Sequence, residues 1–553
     1  MVKLLKNWKF IFLFTIIILY LVYFGTVFKT ELELPSKAWS RDVSIAQLKS
    51  KNINDLMSNH NIFVIPIQNK NSFITFWYQD SAIKYSLIDS KGTIISSTKL
   101  DIDVGSVKKI RGLLNDGVMS LYVLEDIELK KYDFDLNTNQ ILSNTTITHS
   151  VKDFIVHDDL IIYSTNNSLN LIDKTNHTKQ IENINVDRFE TIKDENAPLY
   201  HIALYEKTTT GQNFLNYLSY DLNKKNLTRQ RITSLANSVK QSLERVDIAI
   251  INDEINILAS ITETRTGSNN LYNFKFKNNE VSNFSKNMIK INAVNPYPRI
   301  LKNIKDELTF VASVNITKGK DTETVNIVKF TINETNTVID SKLLTKTNSI
   351  SLNPYFFNLD NDKYLVWTDI KGKSKNILLS SSSDDIITAS KKIKLSETLD
   401  IFMATITSLI PSLFISLISV MNIFVPTILF IFLISVIKLR WVENYSKNIF
   451  IIIFTLHSVL KILYTNKLVL KNYDVHNFLP VFLKNPLILY LLLVILTLIS
   501  LYCLKIFISN SKYRKHLVKT YCFFAFIDLT IYTFLTIPYI YSYLLFTYKI
   551  NIQ

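Results

Sequence analysis

Residues 73–100 have the sequence FITFWYQDSAIKYSLIDSKGTIISSTKL. Short runs rich in β-branched and aromatic residues alternate here with polar turns, of which 89–92 (DSKG) is the clearest. Apolar runs of this length between turn-forming residues are typical of antiparallel strands. The stretch therefore predicts a meander in which each strand is joined to the next by a tight turn.

Similar runs recur along residues 30–400 and begin 39 to 56 residues apart. The seven runs are Phe73–Tyr78, Leu121–Leu124, Leu160–Tyr163, Leu199–Leu204, Ile255–Ala259, Leu308–Val311 and Tyr364–Trp367. Most of them follow a short polar turn and precede further predicted strands. A repeat of about 40–50 residues with four short strands is typical of a β-propeller blade. Seven such units would close a ring that has no exposed sheet edges.

The strand pattern predicts an all-β domain over residues 61–395, which we interpret as a seven-bladed β-propeller. A pair of β-sandwiches or an open solenoid is the alternative, because the spacing is uneven and few glycines mark the turns. Residues 30–60 are predicted to form a linker or stalk. Within them, Ser36–His60 is expected to form either a short helix or a strand that closes the ring.

Residues 1–29 are predicted to contain a cytoplasmic N-terminus and a membrane anchor. Phe10–Phe28 is an almost unbroken apolar run, about 28 Å long as a helix, which is close to the hydrocarbon thickness of a bilayer. No small-residue cleavage site follows it, which favours an uncleaved anchor over a signal peptide. Three lysines precede the run and Glu31 and Glu33 follow it, so the N-terminus is expected to be cytoplasmic.

Residues 396–553 are predicted to form a helical membrane domain. The four expected spans are Phe414–Ile437, Ile449–Tyr464, Pro486–Leu504 and Tyr521–Tyr548. Ser396–Pro411 is expected to be an interfacial or partly inserted helix. The second span is short and contains two ionisable residues, so a re-entrant segment is the alternative. If Lys and Arg stay inside, the large domain lies outside the cytoplasm of a multi-pass cell-membrane protein.

The net charge of +15 does not indicate a nucleic-acid-binding face. Residues 401–553 carry 13 Lys+Arg against 3 Asp+Glu, whereas residues 30–400 carry 45 against 44. The positive charge therefore flanks the apolar runs, as membrane topology requires. We expect the lipid bilayer and a membrane or extracellular protein as partners, and no nucleic acid.

The sequence shows no catalytic or cofactor-binding motif. Residues 372–374 (GKS) resemble the end of a phosphate-binding loop, but Trp367 stands where that loop requires glycine. The two cysteines, Cys503 and Cys522, both lie in the C-terminal apolar region. A cysteine zinc cluster is therefore not expected in the large domain, and we predict no metal and no cofactor.

Two groups of acidic residues in the large domain are interpreted as turns. Residues 133–139 place oxygen ligands at alternating positions, as calcium prefers, but Thr138 and Asn144 replace the glycine and glutamate of an EF-hand loop. The carboxylates of residues 157–159 fit a turn between strands. A propeller hydrolase could bring acidic residues together from different blades, so an enzyme remains the less favoured alternative.

His457 and Asp528 are the candidate site residues of the membrane domain. Each is expected seven or eight residues into a span that starts at the cytoplasmic side, about 10–12 Å from that end. We therefore expect the two side chains to face each other and share a hydrogen bond. A polar clasp between helices is the favoured interpretation, and a proton or ion path is the alternative. Lys461 is expected to extend toward a helix end.

These features predict a membrane protein that presents a β-propeller outside the cytoplasm as a binding or scaffold module. Its partner is expected to be a protein, a peptide or a glycan. One alternative is an accessory or core subunit of a membrane transport or export complex, and another is an extracytoplasmic propeller hydrolase. Fold class alone does not select among these functions.

Overall fold

The structure is a computed structural model of the 553-residue chain. It describes residues 7–49, 62–115, 117–208, 211–235, 241–263, 265–266, 268–278, 280–291, 299–300, 307–318, 322–372, 374–393, 395–437, 447–510, 517–546 and 548–550. The chain divides into two compact units. The β unit is formed mainly by Leu34–Ile316 and Glu323–Lys392, and the helical unit mainly by Met1–Glu33 and Ile393–Lys549.

In the β unit, strand β1 (Val43–Lys49) is followed by five four-stranded antiparallel sheets with their strands in chain order. Sheet one contains β2 (Ile62–Ile67), β3 (Ser72–Gln79), β4 (Ala82–Asp89) and β5 (Ile94–Lys99). Sheet two contains β6 (Val107–Asn115), β7 (Val118–Glu125), β8 (Glu128–Asp135) and β9 (Ile141–Thr148). Sheet three contains β10 (Asp153–Val156), β11 (Leu160–Ser164), β12 (Ser168–Asp173) and β13 (Thr178–Glu182). Sheet four contains β14 (Val186–Lys193), β15 (Leu199–Lys207), β16 (Asn213–Asp221) and β17 (Asn226–Leu235). Sheet five contains β18 (Gln241–Ile251), β19 (Glu254–Glu263), β20 (Ser268–Lys277) and β21 (Ser285–Ile289).

Two further groups of strands complete the β unit. Sheet six contains β22 (Arg299–Ile300), β23 (Leu308–Lys318), β24 (Thr322–Ile332) and β25 (Val338–Leu343). Sheet seven contains β26 (Ile350–Leu359), β27 (Asp362–Lys371) and β28 (Ser374–Ser381), and β1 pairs with β28 as its outermost strand. A single parallel bridge between Val325 and Ile350 joins these two groups.

Each of the seven recurring apolar runs lies in the second strand of its sheet. In β3, for example, six consecutive residues from Ser72 are buried. A strand that has neighbours on both sides and covered faces above and below needs no polar alternation, so it appears as a continuous apolar run. The fourth strand β5 is mostly exposed, which explains its polar sequence. The predicted repeat of four-stranded antiparallel units is confirmed.

Apolar clusters join successive sheets of the β unit. They lie between sheets one and two, two and three, three and four, four and five, and six and seven. A further cluster joins sheet seven to sheet one, where Tyr364 and Ile377 pack with Phe73 and Ile88. The first strands of sheets one to six also contact one another in sequence, and β26 contacts β2.

Strand β1 completes sheet seven although it comes from the other end of the β unit. Its pairing with β28 is antiparallel, with Val43 opposite Leu379. The Ser381 N–H donates to Ser40 Oγ at 2.8 Å, and the Ser40 N–H donates to the Ser381 carbonyl at 2.8 Å. Of the two forms expected for Ser36–His60, the structure shows the strand over residues 43–49, while residues 50–61 lie outside the described residues.

The helical unit begins with α1 (Trp8–Leu32), and α2 (Asp384–Ser390) ends the β unit. The later helices are α3 (Leu395–Ile437), α4 (Lys447–Thr465), α5 (Tyr473–Phe478), α6 (Pro486–Asn510) and α7 (Leu517–Phe546), followed by the short strand β29 (Tyr548–Ile550). A π-helical turn, Asn466–Leu470, extends α4. Within the described residues, five helices are long and apolar enough to cross a membrane.

The predicted interfacial helix and the first predicted span of the C-terminal region form one helix. Ser396–Pro411 and Phe414–Ile437 both lie in α3, which has 43 residues, and the interfacial position of its first part stays a prediction. Pro411 and Pro426 lie inside α3. Proline is tolerated in long apolar helices, where side chains and local adjustments satisfy the freed carbonyl groups. No glycine or charged residue between 401 and 437 provides a stop.

Candidate functional site

Three helices bring together a buried polar cluster, which we call the helical cluster: His457, Lys461, Thr497, Tyr521 and Asp528. His457 and Lys461 are four residues apart on α4 and therefore share one face of that helix. Tyr521 and Asp528 are two turns apart on α7, and Thr497 comes from α6. His457, Tyr521, Asp528 and Lys461 are 0 to 3% exposed.

Asp528 is the centre of this cluster. Its Oδ2 lies 3.0 Å from His457 Nε2 and accepts a hydrogen bond from Lys461 Nζ at 2.7 Å. His457 Nδ1 lies 3.1 Å from the Tyr521 hydroxyl, and Lys461 also donates to Thr497. Opposite charges at this separation interact strongly in a medium of low dielectric constant, so each stabilises the other against burial.

One oxygen of the cluster has no partner. Asp528 Oδ1 is buried and forms no hydrogen bond within the described part of the chain, although Oδ2 has two donors. A buried carboxylate oxygen without a donor is costly, and it often marks a role beyond structure or the place of a water molecule. The cluster therefore has capacity for one further donor or proton.

The structure brings together the two residues that the sequence singled out, and it adds three others. The expectation that Lys461 extends to a helix end is wrong, because its ammonium group pairs with Asp528 inside the bundle. The spacing of four residues from His457 was the available signal for Lys461. Thr497 and Tyr521 carried no signal, since hydroxyl residues are scattered through all of these helices. Whether the cluster is a clasp or part of a path stays a prediction.

A second polar group lies on the first strands of the β unit, and we call it the first-strand cluster: Lys109, Asp153, Glu190, Arg188 and Arg245, with Glu244. Lys109 on β6 donates to Asp153 on β10 at 2.6 Å. Arg245 on β18 lies 4.0 Å from Glu190 on β14. Arg188 on β14 lies 4.0 Å from Glu244 on β18. Charged pairs thus connect the first strands of sheets two and three and of sheets four and five.

Lys109 is the most buried member of the first-strand cluster. Its residue is 5% exposed, and its ammonium group lies 5.6 Å from the centre of the Phe154 ring. Burial lowers the pKa of Lys109, the carboxylate of Asp153 opposes this change, and the like charge of Arg111 adds to it. The ion pair with Asp153 therefore offsets part of the cost of burying this ammonium group.

The residues of the 157–159 segment take part in strand contacts rather than forming a free acidic group. Asp159 Oδ2 accepts from Lys193 Nζ at 2.5 Å, and the Tyr200 hydroxyl donates to Oδ1. His157 Nε2 lies 2.5 Å from Thr191 Oγ1. Burial lowers the pKa of His157, and the charges of Asp159 and Glu190 oppose this change. These contacts connect sheets three and four.

The segment considered for calcium is also occupied by protein contacts. Asp133 accepts hydrogen bonds from Ser120 at 2.5 Å and from Ser143 at 2.7 Å, and Lys131 lies 3.0 Å away. Asn139 Oδ1 accepts from the Tyr85 hydroxyl at 2.5 Å. Among the described residues, no group of three or more His, Cys, Asp and Glu side chains could hold a metal ion.

Arg111 lies where three sheets meet. Its guanidinium carbon is 5.3 Å from the centre of the Phe63 ring on β2, and Nη1 is 3.5 Å from the Tyr355 hydroxyl on β26. Nη1 also donates to the Ile110 carbonyl at 2.9 Å. The Phe63 and Tyr355 rings meet edge to face with centres 6.2 Å apart. Side chains of sheets seven, one and two are therefore in contact here.

The comparisons with known proteins show weak structural likenesses. No protein-family model and no curated protein matches the sequence. The N-terminal domain of Nup159 is similar with 12% identity and a TM-score of 0.39, over 63% of this chain and 97% of that one. Sqt1 of Saccharomyces cerevisiae is similar with 7% identity and a TM-score of 0.34, over 60% and 98%. The polysaccharide lyase Uly1 is similar with 8% identity and a TM-score of 0.43, over 62% and 98%.

Proposed function

We propose that this chain is a multi-pass membrane protein whose β unit is a closed seven-bladed β-propeller that binds a protein partner outside the cytoplasm. The observation that carries the proposal is the contact among Phe63, Arg111 and Tyr355, which come from sheets one, two and seven. Together with the apolar cluster between sheets seven and one, it supports a ring of sheets with first strands at the centre.

The first-strand cluster supports binding rather than catalysis. The Asp153 carboxylate lies 2.6 Å from Lys109 Nζ, and the Glu190 carboxylate lies 4.0 Å from Arg245. A carboxylate that acts as a proton donor or nucleophile usually lacks such a compensating charge, so neither residue resembles one. Arg188, Glu190 and Arg245 are each partly exposed, which leaves polar and charged groups available to a partner. A peptide or glycan that enters the centre of the ring is the alternative occupant.

The five apolar helices support the membrane part of the proposal. Large apolar side chains remain exposed along α1 and α3, among them Leu13, Leu21, Phe414 and Phe432 at 57 to 67%. The excess of Lys and Arg in residues 438–447 and 512–519 supports a cytoplasmic position for those parts of the sequence. Protease added to intact cells should then cleave in the β unit and leave the α3–α4 and α6–α7 connections uncut.

The experiment that tests the binding proposal is isolation of the protein in a mild detergent together with its native neighbours. Wild type is compared with Arg245→Glu, which reverses one charge of the first-strand cluster. The matched control is Arg229→Glu, which reverses the arginine of another Arg–Glu pair, 2.5 Å from Glu206, on the fourth strand of sheet four. We expect a stoichiometric protein to be recovered with wild type and the control, and to be depleted with Arg245→Glu.

Two outcomes of this isolation would contradict the proposal. One is that no protein is recovered in stoichiometric amount with wild type. The other is that the partner is depleted equally from both variants, because the effect would then not depend on the first strands. Size-exclusion elution and melting temperature show whether each variant is folded before its recovery is compared.

A subunit of a transport or export complex is the second candidate function, and the helical cluster favours it. An Asp–Lys–His group inside helices of this kind is expensive, and such groups often mark ion or proton paths. Purified protein in liposomes that contain a pH-sensitive dye tests this directly. Proton flux that Asp528→Asn abolishes would support the second candidate, whereas traces equal to those of empty liposomes would contradict it.

A further inference from the structure

Strand β6 carries more positive charge than its surroundings balance. It contributes Lys108, Lys109 and Arg111. Within the described residues, only Lys109 has a carboxylate at ion-pair distance, that of Asp153. On β14, by contrast, Arg188 and Lys193 both have carboxylates within 4 Å. The first strand of sheet two therefore carries positive charge that nearby carboxylates do not balance.

The guanidinium group of Arg111 is positioned but only partly used. Nη1 contacts the Ile110 carbonyl and the Tyr355 hydroxyl, and the Phe63 ring lies beside the group. The residue is neither fully buried nor fully exposed. Nε and Nη2 have no hydrogen-bond acceptor in the part of the chain that the structure describes. An aromatic ring fixes the plane of a guanidinium group without consuming its N–H donors.

We propose that Arg111, held between Phe63 and Tyr355, is the anchor of a binding site for an oxyanion, namely a carboxylate or a phosphate group. The planar guanidinium group can donate two parallel hydrogen bonds to such a group, which is the strongest form of this interaction. Lys109, on the same strand, is buried and paired with Asp153, so the uncompensated charge at this site is that of Arg111. The inference deepens the proposed function and rests on it, because the binding partner would supply the oxyanion at the centre of the first strands.

Arg231 provides the comparison for an arginine that merely lies on a ring. Its guanidinium carbon is 3.7 Å from the centre of the Phe214 ring, and it lies on β17, the exposed fourth strand of sheet four. Arg231 has one aromatic neighbour from its own sheet, whereas Arg111 has two from different sheets. If stacking on phenylalanine alone made an anion site, both arginines would bind equally.

The test uses the full chain in a non-ionic detergent and the width of the chloride-35 NMR line. Chloride that exchanges with a protein site broadens this line, and an oxyanion that takes the site narrows it again. Succinate and inorganic phosphate are titrated as competitors against wild type, Arg111→Gln, Arg111→Lys and Arg231→Gln. Because the probes are small ions, the result does not depend on recovering a partner, so failure here leaves the partner test intact.

We expect a saturable narrowing for wild type and Arg231→Gln. Arg111→Gln should lose this narrowing of the chloride line. Arg111→Lys should keep it, but the oxyanion concentration that gives half of the narrowing should rise about tenfold, because lysine cannot donate two parallel hydrogen bonds. Arg111→Lys retains the charge and so keeps the test valid if the glutamine variant does not fold. Competition by succinate alone would identify a carboxylate, and by phosphate alone a phosphate group.

Equal competition curves for wild type and Arg111→Gln would overturn the proposal, because the bound anion would lie elsewhere. Loss of the effect in Arg231→Gln to the same extent would also overturn it, since the effect would then reflect overall charge. A variant is compared only after its elution volume and melting temperature match those of wild type.

Discussion

Changing one partner of the Lys461–Asp528 ion pair should destabilise the helical unit more than changing both partners. Lys461 Nζ and Asp528 Oδ2 are 2.7 Å apart, and both residues are at most 3% exposed. Asp528→Asn leaves a buried ammonium group without its partner, and Lys461→Met leaves a buried carboxylate with only His457 beside it. Each single change should cost about 3–5 kcal/mol, because a buried uncompensated charge remains.

The double variant Lys461→Met with Asp528→Asn should cost less than either single change. It removes both charges, and replacing a buried pair by neutral groups of similar volume is often close to neutral. The coupling energy between the two positions should therefore be on the order of 3 kcal/mol or more, at the upper end of the range for residues in contact. A sum of the single effects would be at least twice the effect expected for the double variant.

The assay is unfolding in mixed micelles by added dodecyl sulfate, followed by circular dichroism at 222 nm, which reports mainly the helices. Lys505→Met is the matched control, because Lys505 lies on α6 but is exposed. Combined with Asp528→Asn, it should give an additive result. If Lys461→Met and Asp528→Asn are also additive, the two charges do not interact in the folded protein and our account of the cluster is refuted.

Three further predictions concern the β unit, each measured by its melting temperature. Burial lowers the pKa of His157, so the unfolded chain binds the proton more tightly, and stability should be lost as the pH falls below about 6.5. His157→Gln should reduce the change in melting temperature between pH 7.5 and 5.5, and an unchanged dependence of melting temperature on pH would contradict this prediction. Ser40→Ala should lower the free energy of unfolding by about 1–3 kcal/mol, because the buried Ser381 N–H loses its acceptor. Ser44→Ala, at an exposed position, should be nearly neutral. Equal effects of the two changes would show that the Ser40–Ser381 hydrogen bond is unimportant for stability. Gly92→Ala should lower the melting temperature more than Gly117→Ala. Both glycines have positive φ, but only at Gly92 would a Cβ approach the Ile386 side chain, at 3.2 Å. A larger effect at Gly117 would rule out that contact as the cause.

The sequence pattern located the repeating unit because the second strands are its most distinctive part. They are covered on both faces, so Leu199–Leu204 and its equivalents stand out as mainly apolar runs, in which single polar residues such as His201 are also buried. The first strands are less distinctive. β10 has only four residues, Asp153 to Val156, and two of them are partly exposed. A sequence pattern this short does not distinguish the first strand of a sheet from a loop that ends in a turn.

The contacts between sheets could not be predicted from local sequence. Lys109 and Asp153 are 44 residues apart, and Arg111 and Tyr355 are 244 residues apart. Neither separation corresponds to a helical or strand period, so the partners follow only from which sheets become neighbours. The His457–Asp528 contact was accessible because depth along two spans can be counted from their ends at a fixed rise per residue.

The pairing of β1 with β28 shows that sheet seven is built from both ends of the sequence of the β unit. Val43 faces Leu379, roughly 330 residues later in the chain, so β1 has no partner until β28 has formed. Such a contact carries a large loop-closure cost and tends to form late in folding. The Ser40–Ser381 hydrogen bonds and the donation from Trp39 Nε1 to Ser380 Oγ at 2.9 Å secure the strand once it is in place. Loss of β1 would therefore leave β28 as an unprotected edge strand, which is a site for aggregation.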